Sequence, residues 1–321
     1  MNYYLGVDLG GTNIAAGVVD EDYNILAKGS MPTFTGRPTE EIIKDMFDLS
    51  KKVAEEAGIP LSKFTSWGIG MPSYVNPKNH LLVHANNLGW INLPIYDFLK
   101  KHTDLPIYIE NDANCAALGE TLAGAARDYN HAIMLTLGTG VGGGIILNKR
   151  IFSGCDLMGA ELGHTKLVFN GINCTCGQKG CLESYCSATA LIRQSQERLR
   201  NNPDSLIWDM CGRNLASIDG KMVFDASRMG DITAKNLVEQ YIEYLSCGIS
   251  TFVTIFRPEI IILGGGLVGA GQVLFEPLNL KIHENTFAAS EIGVPRIVKA
   301  ELGNDAGIIG AALLEKHTEK R

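Results

Sequence analysis

Apolar positions recur along the chain with two spacings. Short apolar runs, bounded by turn residues, predict strands at 3–8, 13–20 and 24–29 joined by tight turns. From 40 to 57 the spacing changes. Ile42, Ile43, Met46, Leu49 and Val53 fall on one face of a helix, and Gly58 stands just past its end. Further strands are predicted at 65–70, 106–110, 132–137, 143–147, 259–263 and 296–301, several followed by helices, which makes this an α/β chain.

Two kinds of segment occur twice. YLGVDLGGTNIAAGVVD (4–20) and IMLTLGTGVGGGIILN (133–148) share the plan of apolar strand, Gly/Thr turn and returning apolar strand. IENDANCAALGE (109–120) and LGNDAGIIGAALLE (302–315) each bring Asn-Asp-Ala to the start of an Ala-rich helix. The same order of both echoes predicts a two-lobed pseudo-repeat. The expected division is a smaller lobe over 1–120, with a C-terminal helix at about 304–321 packing back on it, and a larger lobe over 121–303. The second half is longer by an insertion at roughly 150–230.

Composition narrows the function classes. The 321 residues are 45% hydrophobic and 20% charged, ordinary for a soluble globular protein, and no apolar run reaches the ~18 residues of a membrane span. The start MNYYLGVDLGG lacks a basic region followed by an apolar one, so no secretory leader is expected and a cytoplasmic location is. There the eight cysteines read as free thiols or metal ligands rather than a disulfide framework. A net charge of −7 without a basic block argues against a nucleic-acid partner.

The glycine turns have a chemical reading. Glycines can adopt positive φ and admit an anion to the backbone N–H groups, so Gly10-Gly11-Thr12 and Gly138-Thr139-Gly140 are candidate phosphate holders, or else plain hairpin turns. Asp8 stands where a carboxylate could hold Mg²⁺ through water. The lysine motif of P-loop enzymes is missing. A third cluster, Gly264-Gly265-Gly266, follows a strand and could receive a nucleotide. Asp112, at a strand-to-helix junction, is either a general base for a hydroxyl or the cap of its helix, and Asp305 in the second echo reads as such a cap.

GHTKLVFNGINCTCGQKGCLES (163–184) is the most distinctive stretch. His164, Cys174, Cys176 and Cys181 form a complete tetrahedral set for structural Zn²⁺, with the histidine expected from the preceding strand, the alternative being reactive thiols or a plain loop. Glu161 and Glu183 bracket this segment, 161–183, where they could accept hydrogen bonds from sugar hydroxyls.

Asp8-Leu-Gly-Gly-Thr12, Glu110-Asn-Asp-Ala-Asn114, Leu137-Gly-Thr-Gly-Val-Gly-Gly143, Glu161-Leu-Gly-His164, CTCGQKGCLE and Leu263-Gly-Gly-Gly266 together resemble the ROK family of bacterial sugar kinases and repressors. The resemblance implies a two-lobed actin-like, ribonuclease-H-like (hexokinase-type) fold with the active site in the interlobe cleft. It implies ATP and Mg²⁺ as co-reactants, Asp112 as base, and sugar contacts from Asn111, Asp112, Glu161, His164 and Glu183. Asn87 falls where the family often has an asparagine near the sugar. The histidine would use one ring nitrogen for zinc and the other for the sugar, and a homodimer is implied. Family repressors carry a DNA-binding segment ahead of the first strand, and with Asp8 eight residues from the start a DNA-binding repressor is not expected. Glucose is the first expectation as acceptor, with fructose, N-acetylmannosamine or another hexose as alternatives. A non-catalytic sugar sensor is a further alternative. The chain departs from the family at Ser73-Tyr74, in GMPSYVNP, near the expected sugar pocket.

Overall fold

The computed structural model describes residues 1–76 and 79–317, with Asn86 described by its backbone alone. The chain forms two compact units: Met1–Ile133, Gly144–Ala160 and Ala300–Arg321 in one, Met134–Gly143 and Glu161–Lys299 in the other.

The first unit opens with β1 (Tyr3–Leu9), β2 (Asn13–Asp20), β3 (Ile25–Pro32), α1 (Thr39–Glu56) and β4 (Phe64–Met71). A small antiparallel sheet follows, β5 (Tyr74–Val75), β6 (Leu82–Ala85) and β7 (Trp90–Leu93), then α2 (Ile95–Leu99), β8 (Ile107–Asn111) and α3 (Asp112–Leu122). The main sheet has the order β3-β2-β1-β4-β8, antiparallel through β1 and parallel from β1 to β8. Near-continuous apolar runs suit strands covered on both faces. Leu5, Val7, Trp67 and Ile69 are fully buried, and α1 buries Ile42, Ile43, Met46 and Val53 in the same core. The indole of Trp67 donates to Ser50 Oγ at 3.1 Å, which pairs that buried donor.

The parallel register positions the chemistry. Asp8 pairs with Gly70, Gly70 with Glu110, and Met71 with Asn111, so the carboxyl ends of three strands bring their last residues to one edge.

Next come β9 (Ala132–Leu137), β10 (Val141–Leu147) and β11 (Arg150–Ile151), which pairs with the far end of β10. The second unit continues with α4 (Glu183–Cys186), α5 (Ala188–Leu199), α6 (Leu206–Met210), α7 (Gly220–Arg228), the 25-residue α8 (Ile232–Phe256), β12 (Ile260–Gly264), α9 (Gln272–Asn285), α10 (Ala289–Ile292) and β13 (Arg296–Lys299). Within it the strand order is β10-β9-β12-β13.

The chain then returns to the first unit as α11 (Asp305–Ala312) and α12 (Leu314–His317); residues 318–321 of the expected C-terminal helix lie outside the described residues. Close backbone approach fixes α11 against α3, since a Cβ on Gly310 would lie 1.8 Å from the carbonyl oxygen of Cys115. Beside it the fully buried carboxylate of Glu120 accepts the backbone N–H groups of Ala125, Glu301 and Leu302 at 2.9, 3.1 and 2.8 Å. Three amide donors are what an isolated buried carboxylate requires.

Strand and helix positions follow the periodic reading with small shifts at their ends. Asp305 does not cap α11: that cap position is Asn304, without a side-chain bond, and Asp305 pairs instead with Lys28 at 2.7 Å. The β5–β7 sheet escaped the periodic reading because its strands are two to four residues long.

Candidate active site

Asn111 and Asp112 divide two tasks. Asn111 Oδ1 accepts the N–H groups of Ala113 and Asn114 at 2.9 and 3.3 Å, so Asn111 is the cap of α3. Its Nδ2 has no partner among the described residues. Asp112, one position later, accepts the N–H of Ala113 at 2.9 Å. Burial pushes its carboxyl above the usual range, against the lowering effect of that bond and of its own backbone N–H. Asp8 is pushed up to about 6, first by burial and then by the nearby charge of Asp112. Two carboxylates crowded in this way favour a cation or a shared proton.

Glu110, which the motif reading left without a role, is buried and accepts Asn111 N at 2.8 Å and Asn114 Nδ2 at 3.0 Å. An acidic residue among apolar strand positions was the signal available for it. Asn111, Ser73, Tyr74 and Leu157 line a recess of about 10 Å³. That recess shares Ile109, Glu110 and Leu157 with a cavity of about 740 Å³ walled by His80, Tyr96, Tyr108 and Phe152.

The candidate phosphate turns depart from expectation in their backbone. Gly10, Gly11, Gly138 and Gly140 do not adopt positive φ; of the candidate glycines only Gly265 does, at 86°. Space is the reason for glycine instead. A Cβ on Gly11 would meet Asn87 Cβ at 2.9 Å, and one on Gly140 would meet Glu183 Oε2 at 2.4 Å, whereas Gly138 and Gly266 face open space. The N–H of Gly10 closes on Asn13 O and that of Gly138 on Gly140 O, so both are engaged within their turns. Thr12 and Thr139 are exposed. Gly264 ends β12, and Gly266 lines a recess of about 150 Å³ with Phe224, Arg228 and Leu267. Phe224 and Arg228 carry no motif, and only the fold brings them there.

In the second unit His164, Cys174, Cys176 and Cys181 place one ligand atom each within 4.8 Å of all the others. His164 sits on a one-turn 3₁₀ segment, Leu162–His164, and not on a strand, because Glu161 and the glycine at 163 turn the chain there. Its Nδ1 lies 3.7 Å from Cys174 Sγ, and Cys176 Sγ lies 3.7 Å from Cys181 Sγ. Zn–S of ~2.3 Å and Zn–N of ~2.0 Å give tetrahedral edges of about 3.5–3.8 Å, so these residues fit zinc, and the thiols are too far apart for disulfides. The thiols respond to their crowding. Burial raises Cys174, but hydrogen bonds from Cys176, Ser184 and His164 bring it down to about 7, while burial and the neighbouring thiols push Cys181 up to about 11. A divalent cation would relieve both.

Glu183 couples this cluster to the second glycine turn. Its Oε2 accepts Val141 N at 3.0 Å, and its Oε1 accepts Thr175 Oγ1 at 3.1 Å and lies 3.6 Å from Cys174 Sγ. Glu161 begins the turn that carries His164.

The pattern of the ROK family matches residues 4–318, which takes in both units. The chain belongs to the ROK family. It is 37% identical to a glucokinase of Thermotoga maritima over 313 residues, 97% of this chain and 96% of the relative. A ROK family glucokinase from Streptomyces griseus, crystallised with glucose and AMPPNP, superposes with a TM-score of 0.79 at 32% identity, covering 98% of this chain and 99% of the other. A ROK hexokinase from Thermus thermophilus gives 0.81 at 32% identity, covering 97% of each. The fold is accordingly the two-lobed, actin-like α/β fold of the ROK kinases.

Proposed function

We propose that this chain transfers the γ-phosphoryl group of ATP to the 6-hydroxyl of a hexose, with glucose preferred. The observation that carries the reading is the division of labour at Asn111 and Asp112. The asparagine caps the helix, which leaves a carboxylate held above the usual range at the end of a parallel strand. Such a carboxylate can take the hydroxyl proton near neutral pH. In phosphoryl transfer, positioning and charge stabilisation supply most of the remaining rate.

The roles of the other residues follow from their chemistry. Asn111, Glu161, His164 and Glu183 hydrogen-bond sugar hydroxyls, with Asn87 a further contact. Gly10-Gly11-Thr12 and Gly138-Thr139-Gly140 hold phosphate oxygens, and the recess at Gly266 takes the nucleoside. Asp8 holds Mg²⁺ through water; the bound ion neutralises phosphate charge. His164, Cys174, Cys176 and Cys181 hold Zn²⁺, which keeps Glu183 in place. Identity above 30% to glucokinases over nearly the whole chain supports glucose as acceptor.

The test is ADP release with a panel of free hexoses. Glucose is expected to give the highest kcat/KM. A tenfold preference for fructose or N-acetylmannosamine, about 1.4 kcal/mol of transition-state energy, would move the acceptor and leave the sugar kinase standing. Absence of turnover with every hexose would end the reading. No helix among the described residues is long and apolar enough to cross a membrane. A cytoplasmic homodimer is part of the proposal, checked by fractionation and by light scattering.

A further inference from the structure

Ser73 is 9% exposed, and its Oγ is buried without a hydrogen-bond partner among the described residues. Its own N–H closes a tight turn on Met71 O at 2.7 Å, and Met71 is the residue that pairs with Asn111 across β4 and β8. Strand register therefore carries Ser73 to the edge where Asn111 stands, and both line the recess of about 10 Å³. A recess of that size has room for about one water-sized group. Two polar atoms of the residues that line it, Ser73 Oγ and Asn111 Nδ2, have no partner among the described residues.

A buried hydroxyl without a partner destabilises a fold unless something else completes it. Alanine would fill nearly the same space without that cost. The hydroxyl is therefore best explained by a group that arrives from outside, of hydroxyl size and able both to donate and to accept. A sugar hydroxyl meets all three conditions, since it can accept from Asn111 Nδ2 and exchange a hydrogen bond with Ser73 Oγ.

We propose that Ser73 is a specificity residue that hydrogen-bonds one non-reacting hydroxyl of the acceptor sugar in this recess. The inference rests on the reading of Asn111 and Asp112 as the acceptor site. It adds a contact that neither the motifs nor the other polar residues provide.

The experiment compares wild type with Ser73→Ala on glucose and on 2-, 3- and 4-deoxyglucose, with KM for ATP and thermal unfolding measured alongside. Loss of a hydrogen bond to a buried partner should lower kcat/KM for glucose about tenfold or more. KM for ATP should not change. With one of the three deoxy sugars, the one lacking the contacted hydroxyl, wild type and Ser73→Ala should be equal. The unfolding temperature should hold or rise, because an unpaired hydroxyl has been removed. Equal losses on all four sugars, no loss on glucose, or a fall in unfolding temperature would each overturn the proposal. Wild type that turns over hexoses while Ser73→Ala matches it sinks this contact alone. Wild type inactive on every hexose sinks the kinase reading with it.

Discussion

Glu183 accepts the backbone N–H of Val141 at 3.0 Å and the hydroxyl of Thr175 at 3.1 Å, so a single carboxylate ties the second glycine turn to the thiol loop. Disturbance at either end should be felt at the other.

Cys176→Ser removes one of four ligand atoms from the cluster. Elemental analysis should find one zinc per wild-type chain and far less in the variant. With the loop loosened around Glu183, KM for the sugar should rise several-fold while KM for ATP changes less. Metal-free protein of full stability and activity would refute the zinc site.

Two glycines of one turn should respond differently. Gly140→Ala places a methyl 2.4 Å from Glu183 Oε2, which is held from two sides, so a stability loss of about 1–3 kcal/mol and a weaker sugar KM are expected. Gly138→Ala meets nothing within 4 Å, so the fold should keep its unfolding temperature while KM for ATP rises. Denaturation and steady-state kinetics on the pair distinguish a space requirement of the fold from one of the ligand.

Asp112→Asn preserves shape and removes the proton acceptor. A fall in kcat of about 10²–10⁴-fold is expected, with ATP binding retained. Near-normal kcat would move the base elsewhere, with Asp8 the next candidate.

Asp8 titrates at about 6 in the folded, metal-free chain because of burial and then Asp112, and returns to its ordinary lower value on unfolding. Between those two values the folded state binds more protons than the unfolded one. Stability contributed by this group is therefore lost as pH rises from about 4 to about 6. In metal-free urea titrations Asp8→Asn should be little different from wild type near pH 4 and more stable by about 2–3 kcal/mol at pH 7.5. The opposite ordering at pH 7.5 would show that Asp8 has a stabilising partner.

Much of this was legible because it is local. A strand, a glycine turn and a returning strand are read from neighbours in sequence, and β2 and β9 occupy the residues that the apolar pattern assigned to them. The Cys/His cluster was legible from spacing alone, though the turn beneath His164 was not. What stayed hidden depends on pairings between distant residues. Ser73 comes to share a recess with Asn111 because register pairs Met71 with Asn111. The reason for glycine at position 140 is a carboxylate 43 residues later, and nothing in the turn itself separates that from a need for positive φ.

Glu120→Ala would leave three backbone N–H groups without their acceptor, and a loss of at least about 3 kcal/mol is expected. Glu120→Gln, which keeps the volume and halves the accepting oxygens, should lose part of that. Chemical denaturation of both variants checks the order.

Glu120 also imposes a schedule on biosynthesis. Its partners at 301 and 302 leave the ribosome more than 180 residues after it does, at a few to tens of residues per second. Until then this carboxylate has only Ala125 of its three amide donors, and the faces of β1 and β4 that α11 covers stay bare. The unit whose first strands are translated earliest is therefore the last to be completed, and its nascent form is the one that a chaperone would meet.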